Sequence, residues 1–489
     1  MSTNWIAHEL QDIDLNDQRL NARLAEVLGA LSERPNLSIP AACGGHTETV
    51  AAYRFFDNAK TTFAKIIRPH YQATERRIAQ QQVVLCVQDT TEIDLTKPKQ
   101  SVQGAGPLGE GDHRRGALLH LLEAFLPSGV PLGAVWSKIL IREDKEQQKT
   151  LTPQEKKRQQ RLRYLQPITE KESVRWLEGF REVHQLAERH PDVCLVCVGD
   201  SESDIFELFA ESHAPNAHWL VRACQDRCVF SETDEQVSIR SVVSACPVQG
   251  TSSVFVRARQ PAVSCTKKNR QLVRKSRSAD LEIRATTLTI LPPKHLRNNF
   301  ASVSLNVVLV SEPHPPQGEV AIEWILLSTL PIATFEHVRL MIEYYASRWM
   351  IEIFFKTLKS GCGVEELRFE KMDRLLPCLA VYLIVAWRVL LLCRLGRDKT
   401  ETSCEIVFDA AEWKSTYRVM HPKKKLPTSP PTLYAMLRMV GELGGWVASP
   451  NREDLPGPQT VWIGLQRVRD LAWAWKTFGP EAQNYKKNV

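Results

Sequence analysis

Apolar residues along this chain follow two rhythms. Continuous runs, Val83-Val-Leu-Cys-Val87 and Val193-Cys-Leu-Val-Cys-Val198, predict strands buried on both faces. Each run stops just short of an acid, which sets Asp89 and Asp200 at or near the ends of central strands. Gly116 to Phe125 and Pro131 to Ile141 read as two further strands joined by a turn, and His218 to Arg222 as another. Helical spacing governs both ends of the chain. In Leu15 to Leu24, Arg19 and Arg23 fall on one face, while Leu20, Leu24, Val27 and Leu28 mark the other. A second helix covers Val50 to Phe56 and carries Arg54. The span from Arg142 to Arg163 is strongly charged and predicts a solvated helical connection, leading to helices near Glu172–His190 and Ser203–Glu211. Strands separated by helices imply an α/β sheet. From about 223 to 320 short segments rich in Val, Thr and Ser predict a β-rich insertion, after which Trp324 resumes a strand and Phe335 opens a helix. The resulting division is 1–72 helical, 73–371 α/β, and 372–489 helical.

Composition adds size and charge. At 489 residues and 43% hydrophobic, the chain holds enough apolar surface for two to four domains and is neither disordered nor fibrous. The formal charge of +7 is unevenly spread: Ser252 to Phe300 carries eleven Lys or Arg against Asp280 and Glu282, a local +9. Such a surface suits a polyanion. Twelve scattered cysteines form no disulfide framework, and no signal-like segment opens the chain, so a reducing cytoplasm is expected. Cys194 and Cys197 have metal-ligand spacing, but lie in a buried apolar run without a second pair, so structural thiols are expected. The longest apolar stretch, Leu375 to Cys393, is interrupted by Pro377 and Arg388 and predicts a buried helix rather than a membrane span.

The richest chemistry lies in Tyr345 to Lys359. On one continuous helix, Tyr345, Arg348, Glu352 and Lys359 share an arc of about 60°. An exposed, ion-paired face is the plain reading of such a stripe. Trp349, Ile351, Ile353 and Phe354 hem Glu352 in, however, and a half-buried charge needs a purpose. Asp89, Asp200 and Glu352 together form a plausible oxygen-ligand set for two magnesium ions, with manganese as a substitute, acting in phosphoryl transfer. Arg19, Arg23 and Arg54 could dock on duplex DNA or simply be solvated.

The helix fits the pattern Y-x2-R-x3-E-x6-K, and with Leu15–Leu24, Ala52–Phe55, Gln88–Thr91 and Gly199–Ile205 it resembles bacterial DDE transposases of the insertion-sequence-four group, of the transposon-five type. The resemblance implies an RNase H-like core with Asp89, Asp200 and Glu352 as metal-binding triad, a β-rich insertion, and helical N-terminal DNA-binding and C-terminal dimerisation domains. It further implies that Tyr345, Arg348, Lys356 and Lys359 touch DNA near the cleaved strand, that Arg23, Arg222 and Arg175 contact DNA, and that the last helices pair two protomers. Trp324, 21 residues before Tyr345, matches a tryptophan that stacks a flipped base; a core-strand aromatic is the alternative. The chain departs from the pattern at Ser201, Phe355 and Ala117-Leu118, where such enzymes carry an arginine, a histidine and two tryptophans.

The implied activity is cut-and-paste transposition of double-stranded DNA: nicking at terminal inverted repeats, hairpin formation and opening, and strand transfer into target DNA by a homodimer, without a membrane. A structure-selective nuclease, or a transposase-derived DNA-binding protein without catalysis, are the other readings. Neutralising Lys or Arg within Arg257 to Arg277 should weaken DNA binding on all sequences and flatten its salt dependence. Binding isotherms over a salt series check this, and an unchanged slope removes the cluster from the DNA interface.

Overall fold

The leucines of the N-terminal pattern become a helical core in the computed structural model of the protein, which describes residues 4–96, 101–109, 113–144, 152–230, 236–256, 276–398, 400–447 and 455–480. Helices α1 (Asn4–Glu9), α2 (Gln18–Glu33), α3 (Ile39–Cys43), α4 (His46–Phe56) and α5 (Phe63–Ile78) come first. Leu24, Val27, Leu28 and Leu31 of α2 are buried, and Asp17 starts that helix by accepting a hydrogen bond from the Arg19 amide. Strands β1 (Val83–Asp94), β2 (Gly106–Pro107), β3 (Arg115–Phe125) and β4 (Pro131–Leu140) follow. Next come α6 (Pro153–Leu165), α7 (Val174–Arg189), β5 (Cys194–Gly199), α8 (Phe206–Phe209), β6 (Ala217–Arg222), β7 (Cys228–Phe230), β8 (Gln236–Ser238), α9 (Ile239–Ala245), β9 (Gly250–Val256), β10 (Arg277–Ile290), β11 (Val303–Ser311), β12 (Glu323–Ser328) and α10 (Phe335–Ser347). Helices α11 (Trp349–Lys356), α12 (Met372–Asp398), α13 (Ala410–Met420), α14 (Leu433–Leu443) and α15 (Pro458–Phe478) complete the chain. These elements form two units, residues 1–149 with 349–489, and residues 150–348.

In the first unit β3 pairs antiparallel with β1, from Leu85↔Phe125 to Asp94↔Gly116, and with β4 on its other edge. Helix α5 packs on β4, and α12 packs on both. Helix α12 is the one described helix long and apolar enough to cross a membrane, yet 83% of its apolar window is buried inside the protein. It is the core helix that its interruptions predicted. Its C-terminal half joins Trp413, Met436, Leu437, Val440, Trp462 and Leu465 in the core of the last helices. Helices α14 and α15 approach closely at Gly464, where a Cβ would run into the Val440 carbonyl.

A buried polar cluster ties α1 to α5 and β4. His70 takes the N–H of Ala134 on Nε2 at 3.0 Å, so its Nδ1–H donates to Glu9 at 2.5 Å. Arg77 donates to the same carboxylate at 2.8 Å and lies over the Trp387 ring. Burial pushes the Glu9 carboxyl up, but His70 and Arg77 outweigh it and hold it at about 2.

The second unit is built on one sheet. β5 and β6 run parallel, Leu195↔Ala217 to Gly199↔Val221, as a strand–helix–strand unit should. β6 then pairs antiparallel with β12, β12 with β11, and β11 with β10, which also carries β9 and β7. The β-rich segment expected as an insertion therefore extends this sheet edge to edge. Its backbone groups find partners in the ladder, and α9 covers β10 and β11. Most of the expected basic cluster, 257–275, lies outside the described residues. Arg277 is described, and both its terminal nitrogens are taken by the buried Glu312 carboxylate.

Three expectations change. β1 runs on to Asp94, so Asp89 is a mid-strand residue: Thr90, Thr91, Glu92 and Asp94 are polar, yet their backbone stays paired with β3. The helix expected from Ser203 to Glu211 shrinks to a 3-10 turn, Ser201–Ser203, and the single turn α8, because Asp200 caps the first and Asp204 is bonded elsewhere. The helix expected to run unbroken through Lys359 divides into α10 and α11. The Arg348 amide bonds the Tyr345 carbonyl at 3.1 Å, and after Lys356 a π-helical turn, Thr357–Gly361, abandons the 100° progression.

Glu123 on β3 is fully buried, with neither carboxylate oxygen hydrogen-bonded among the described residues. Burial raises its pKa well above the usual range, the nearby Arg77 only partly opposing this. The folded state therefore binds the proton more tightly than the unfolded chain, and stability falls as pH rises above the unfolded value of about 4.5. Glu123→Gln should unfold roughly 2–4 °C higher than wild type at pH 8 and show little difference near pH 4. Thermal unfolding at both pH values checks this, and a pH-independent difference would contradict it.

Candidate active site and DNA interface

Asp89 is held by its neighbours on β1. Gln88 and Thr90 point to the opposite face, where buried His120 of β3 bridges them: Nε2–H to Gln88 Oε1 at 3.1 Å, and Nδ1 with the Thr90 hydroxyl at 2.8 Å. The half-buried Asp89 carboxylate accepts the Thr90 amide at 2.7 Å. Helix α11 packs against β1 and brings Glu352, in its first turn, into the same unit. Ile351, Phe354 and Phe355 are buried around Glu352, which is itself half-buried. Trp349, expected to hem it in, is 58% exposed, since it begins α11 on the side facing away from the core. Lys356 is exposed at the end of α11. Lys359, displaced by the π-turn, pairs with Glu365 at 3.0 Å, and Glu365 in turn accepts the Asp94 amide.

Asp200 belongs to the second unit. The parallel register that ends at Gly199↔Val221 places Asp200 and Arg222 one step beyond it on neighbouring strands. Asp200 accepts the Glu202 amide at 2.8 Å, and Arg222 lies 3.4 Å from the Ser201 hydroxyl. Tyr345 of α10 joins them. Burial pushes its phenol up, while Arg222 and Arg348 pull it down and Asp200 adds a smaller push upward. Arg348 also hydrogen-bonds the phenol, so a carboxylate, two guanidinium groups and a phenol share one electrostatic neighbourhood.

Beside this group opens a cleft of about 310 Å³, with Ser201, Arg222, Gln225 and Trp324 in its wall and the Arg240–Glu323 ion pair at its rim. Trp324 is half-buried, its ring 6.4 Å from that of Tyr345. Trp324 thus faces a polar cleft beside arginine, unlike the fully buried Trp219 of the sheet core.

Several of the expected DNA contacts also hold partners within the protein. Arg175 is buried: it donates to the Glu172 carbonyl and to Glu202 Oε2, each at 2.9 Å, and so braces the turn after Asp200. Arg23 is partly exposed and paired with Glu26 at 2.6 Å, Arg19 is 92% exposed and paired with Asp17 at 3.3 Å, and Arg54 is exposed on α4.

The sequence reading missed Asp204 and Arg227. The Asp204 carboxylate is fully buried and accepts from the Cys224 amide at 2.8 Å, the Gln225 amide at 2.9 Å and Arg227 Nε at 2.9 Å. It thereby fastens the loop after β6, which forms one wall of the Trp324 cleft, to the turn after Asp200. Asp204 lay inside the stretch Gly199 to Ile205, but nothing local distinguishes it from a helix cap.

Asp89 and Glu352 in the first unit, and Asp200 in the second, each carry carboxylate oxygens of the kind that suit a hard divalent cation. Among the described residues, no group of three or more His, Cys, Asp or Glu that could hold a metal ion is formed.

Three family models match the chain: Transposase DNA-binding over residues 2–61, Transposase DDE domain over 168–376, and Transposase Tn5 dimerisation domain over 384–474. The chain belongs to the DDE transposases, mixed α/β proteins whose RNase H-like domain is flanked by helical regions. Within them it is of the Tn5 type, as the C-terminal match specifies. It binds DNA, cuts it as a transposase, and pairs with a second copy of itself. The DDE match contains Asp200, Trp324, Tyr345 and Glu352, while Asp89 precedes it.

Asp204→Ala should lower unfolding free energy by about 3–5 kcal/mol, because Arg227 would be left buried and unpaired. Asp204→Asn, which still accepts the two amides, should cost less. Urea denaturation of both variants checks the order, and equal losses would place the stabilisation elsewhere.

Proposed function

We propose that this protein carries out cut-and-paste transposition of an insertion sequence, acting as a dimer on terminal inverted repeats and joining the cut ends to target DNA. The neighbourhood of Asp200, Arg222, Tyr345 and Arg348 beside the Trp324 cleft carries the reading. Two guanidinium groups and a phenol suit phosphate oxygens, and the adjoining aromatic suits an unstacked base.

Asp89, Asp200 and Glu352 are assigned as ligands of divalent cations, Mg²⁺ with Mn²⁺ as substitute. Two such ions, when bound, supply activation of the attacking oxygen and stabilisation of the leaving one. Arg222, Arg348 and Tyr345 grip the backbone of the cleaved strand, with Lys356 and Lys359 beside the Glu352 helix in the same role. Trp324 holds a base out of the stack. Arg19, Arg23 and Arg54 hold the terminal repeat, and Arg175, braced on Glu202, keeps the turn after Asp200 in place. Nicking, hairpin formation, hairpin opening and strand transfer are all phosphoryl transfers, so one set of residues serves each in turn. The setting is the bacterial cytoplasm, at the nucleoid.

Glu352→Ala, Asp200→Ala and Asp89→Ala should each slow cleavage of a repeat-containing duplex about a thousandfold or more, some 4 kcal/mol of barrier, with end binding retained. Donor ends with a free 3′-OH should give joined product with Mg²⁺ and wild type. Cleavage without joining would make the protein a nuclease. Cleavage undiminished in Glu352→Ala would remove that residue from the site.

A further inference from the structure

Helix α6 lies outside every role assigned so far. It carries Lys156, Lys157, Arg158, Arg161 and Arg163 against one acid, Glu155. That acid is consumed by the capping box, accepting the Thr152 amide at 2.8 Å. Lys157, Arg158 and Arg161 are exposed, and none forms an ion pair among the described residues. At helical spacing these three share an arc of about 100°. Like charges three and four residues apart destabilise a helix, and an ordinary solvated face would intersperse acids. Among the described residues of α6 no side chain is buried to offset the repulsion: Leu162, Tyr164 and Leu165 are 57%, 53% and 52% exposed.

The helix is nevertheless anchored. Tyr164 packs on His295 with ring centroids 4.1 Å apart, and Lys171 donates to the Tyr164 carbonyl at 3.1 Å. The His295 contact brings α6 beside the loop after β10, whose Lys294 and Arg297 are exposed. Two segments more than a hundred residues apart in sequence thus contribute cations to one surface of the second unit.

We infer that this surface is a phosphate-backbone contact for duplex DNA, independent of base sequence and distinct from the repeat-reading arginines of α2 and α4. Arginines and lysines that form no ion pair among the described residues complement a duplex that carries one charge per roughly 1.7 Å of axis. The contact contributes affinity and positioning rather than recognition. The inference rests on the DNA-joining reading above only in that the duplex held is donor or target DNA.

The test compares full-length wild type with the combined variant Lys157→Gln, Arg158→Gln, Arg161→Gln and with a charge-keeping variant, Arg158→Lys, Arg161→Lys. Anisotropy is measured over a salt series on two duplexes, one containing the terminal repeat and one of unrelated sequence. The Gln variant should bind both roughly tenfold more weakly at 0.1 M salt, with the log–log salt slope reduced by about 0.9 for each phosphate no longer neutralised. Its preference for the repeat should be unchanged, and the Lys variant should retain the wild-type slope. Circular dichroism confirms that the Gln variant keeps its helix and unfolding temperature. An unchanged slope, or a weakening confined to the repeat duplex, overturns the inference. Wild type that bound neither duplex would overturn the transposase reading as well.

Discussion

A charged side chain cannot stay inside a sheet without a partner, and this constraint fixes where the chemistry of the second unit sits. β5 and β6 are mostly apolar and mostly buried. Their backbones are satisfied by the ladder, so the first places for charge are the residues where the strands leave it. Because the two strands run parallel in the register Gly199↔Val221, Asp200 and Arg222 leave side by side. Antiparallel pairing would have sent them to opposite ends of the sheet. Tyr345 and Arg348 complete the group from α10.

Holding such a group still requires a second set of charges that does no chemistry. Asp204 and Arg227 neutralise each other out of solvent, and the two backbone amides on Asp204 fasten one loop to another. Arg175 does the same for Glu202 from α7. In the first unit Glu9, His70 and Arg77 link the N-terminal helix to α5 and β4 in a comparable way, and His120 fixes the two neighbours of Asp89. Apart from the exposed Glu202, these groups are buried or half-buried, where solvent screens them little. Their geometry therefore persists in salt that would strip exposed arginines from DNA. The exposed cations, Arg19, Arg54, Lys356 and those of α6, are the ones whose interactions respond to ionic strength.

Burial separates roles that residue type alone leaves together. Arg19, Arg175, Arg222 and Arg277 are all arginines in a basic DNA-binding protein. One is almost fully solvated, one is sealed against Glu202, one lines a cleft, and one is locked to Glu312. Trp324 and Trp219 differ in the same way: both sit on adjacent strands of one sheet, yet only the first reaches a polar cleft.

The strands, the helical ends and the core character of α12 were legible in the sequence because apolar periodicity reports burial directly. The three acids stood out because each closes an apolar run or interrupts an apolar helix. The sequence by itself determined which residues could carry charge next to a core. Tertiary structure alone decided what each charge meets: that β1 continues past Asp89, that Trp349 faces outward, that Lys359 turns to Glu365, and that Asp204 joins Arg227. Those outcomes depend on strand register, on one extra residue in a helical turn, and on contacts between segments far apart in the chain. Side-chain pairing across such distances leaves no periodic trace along a single sequence.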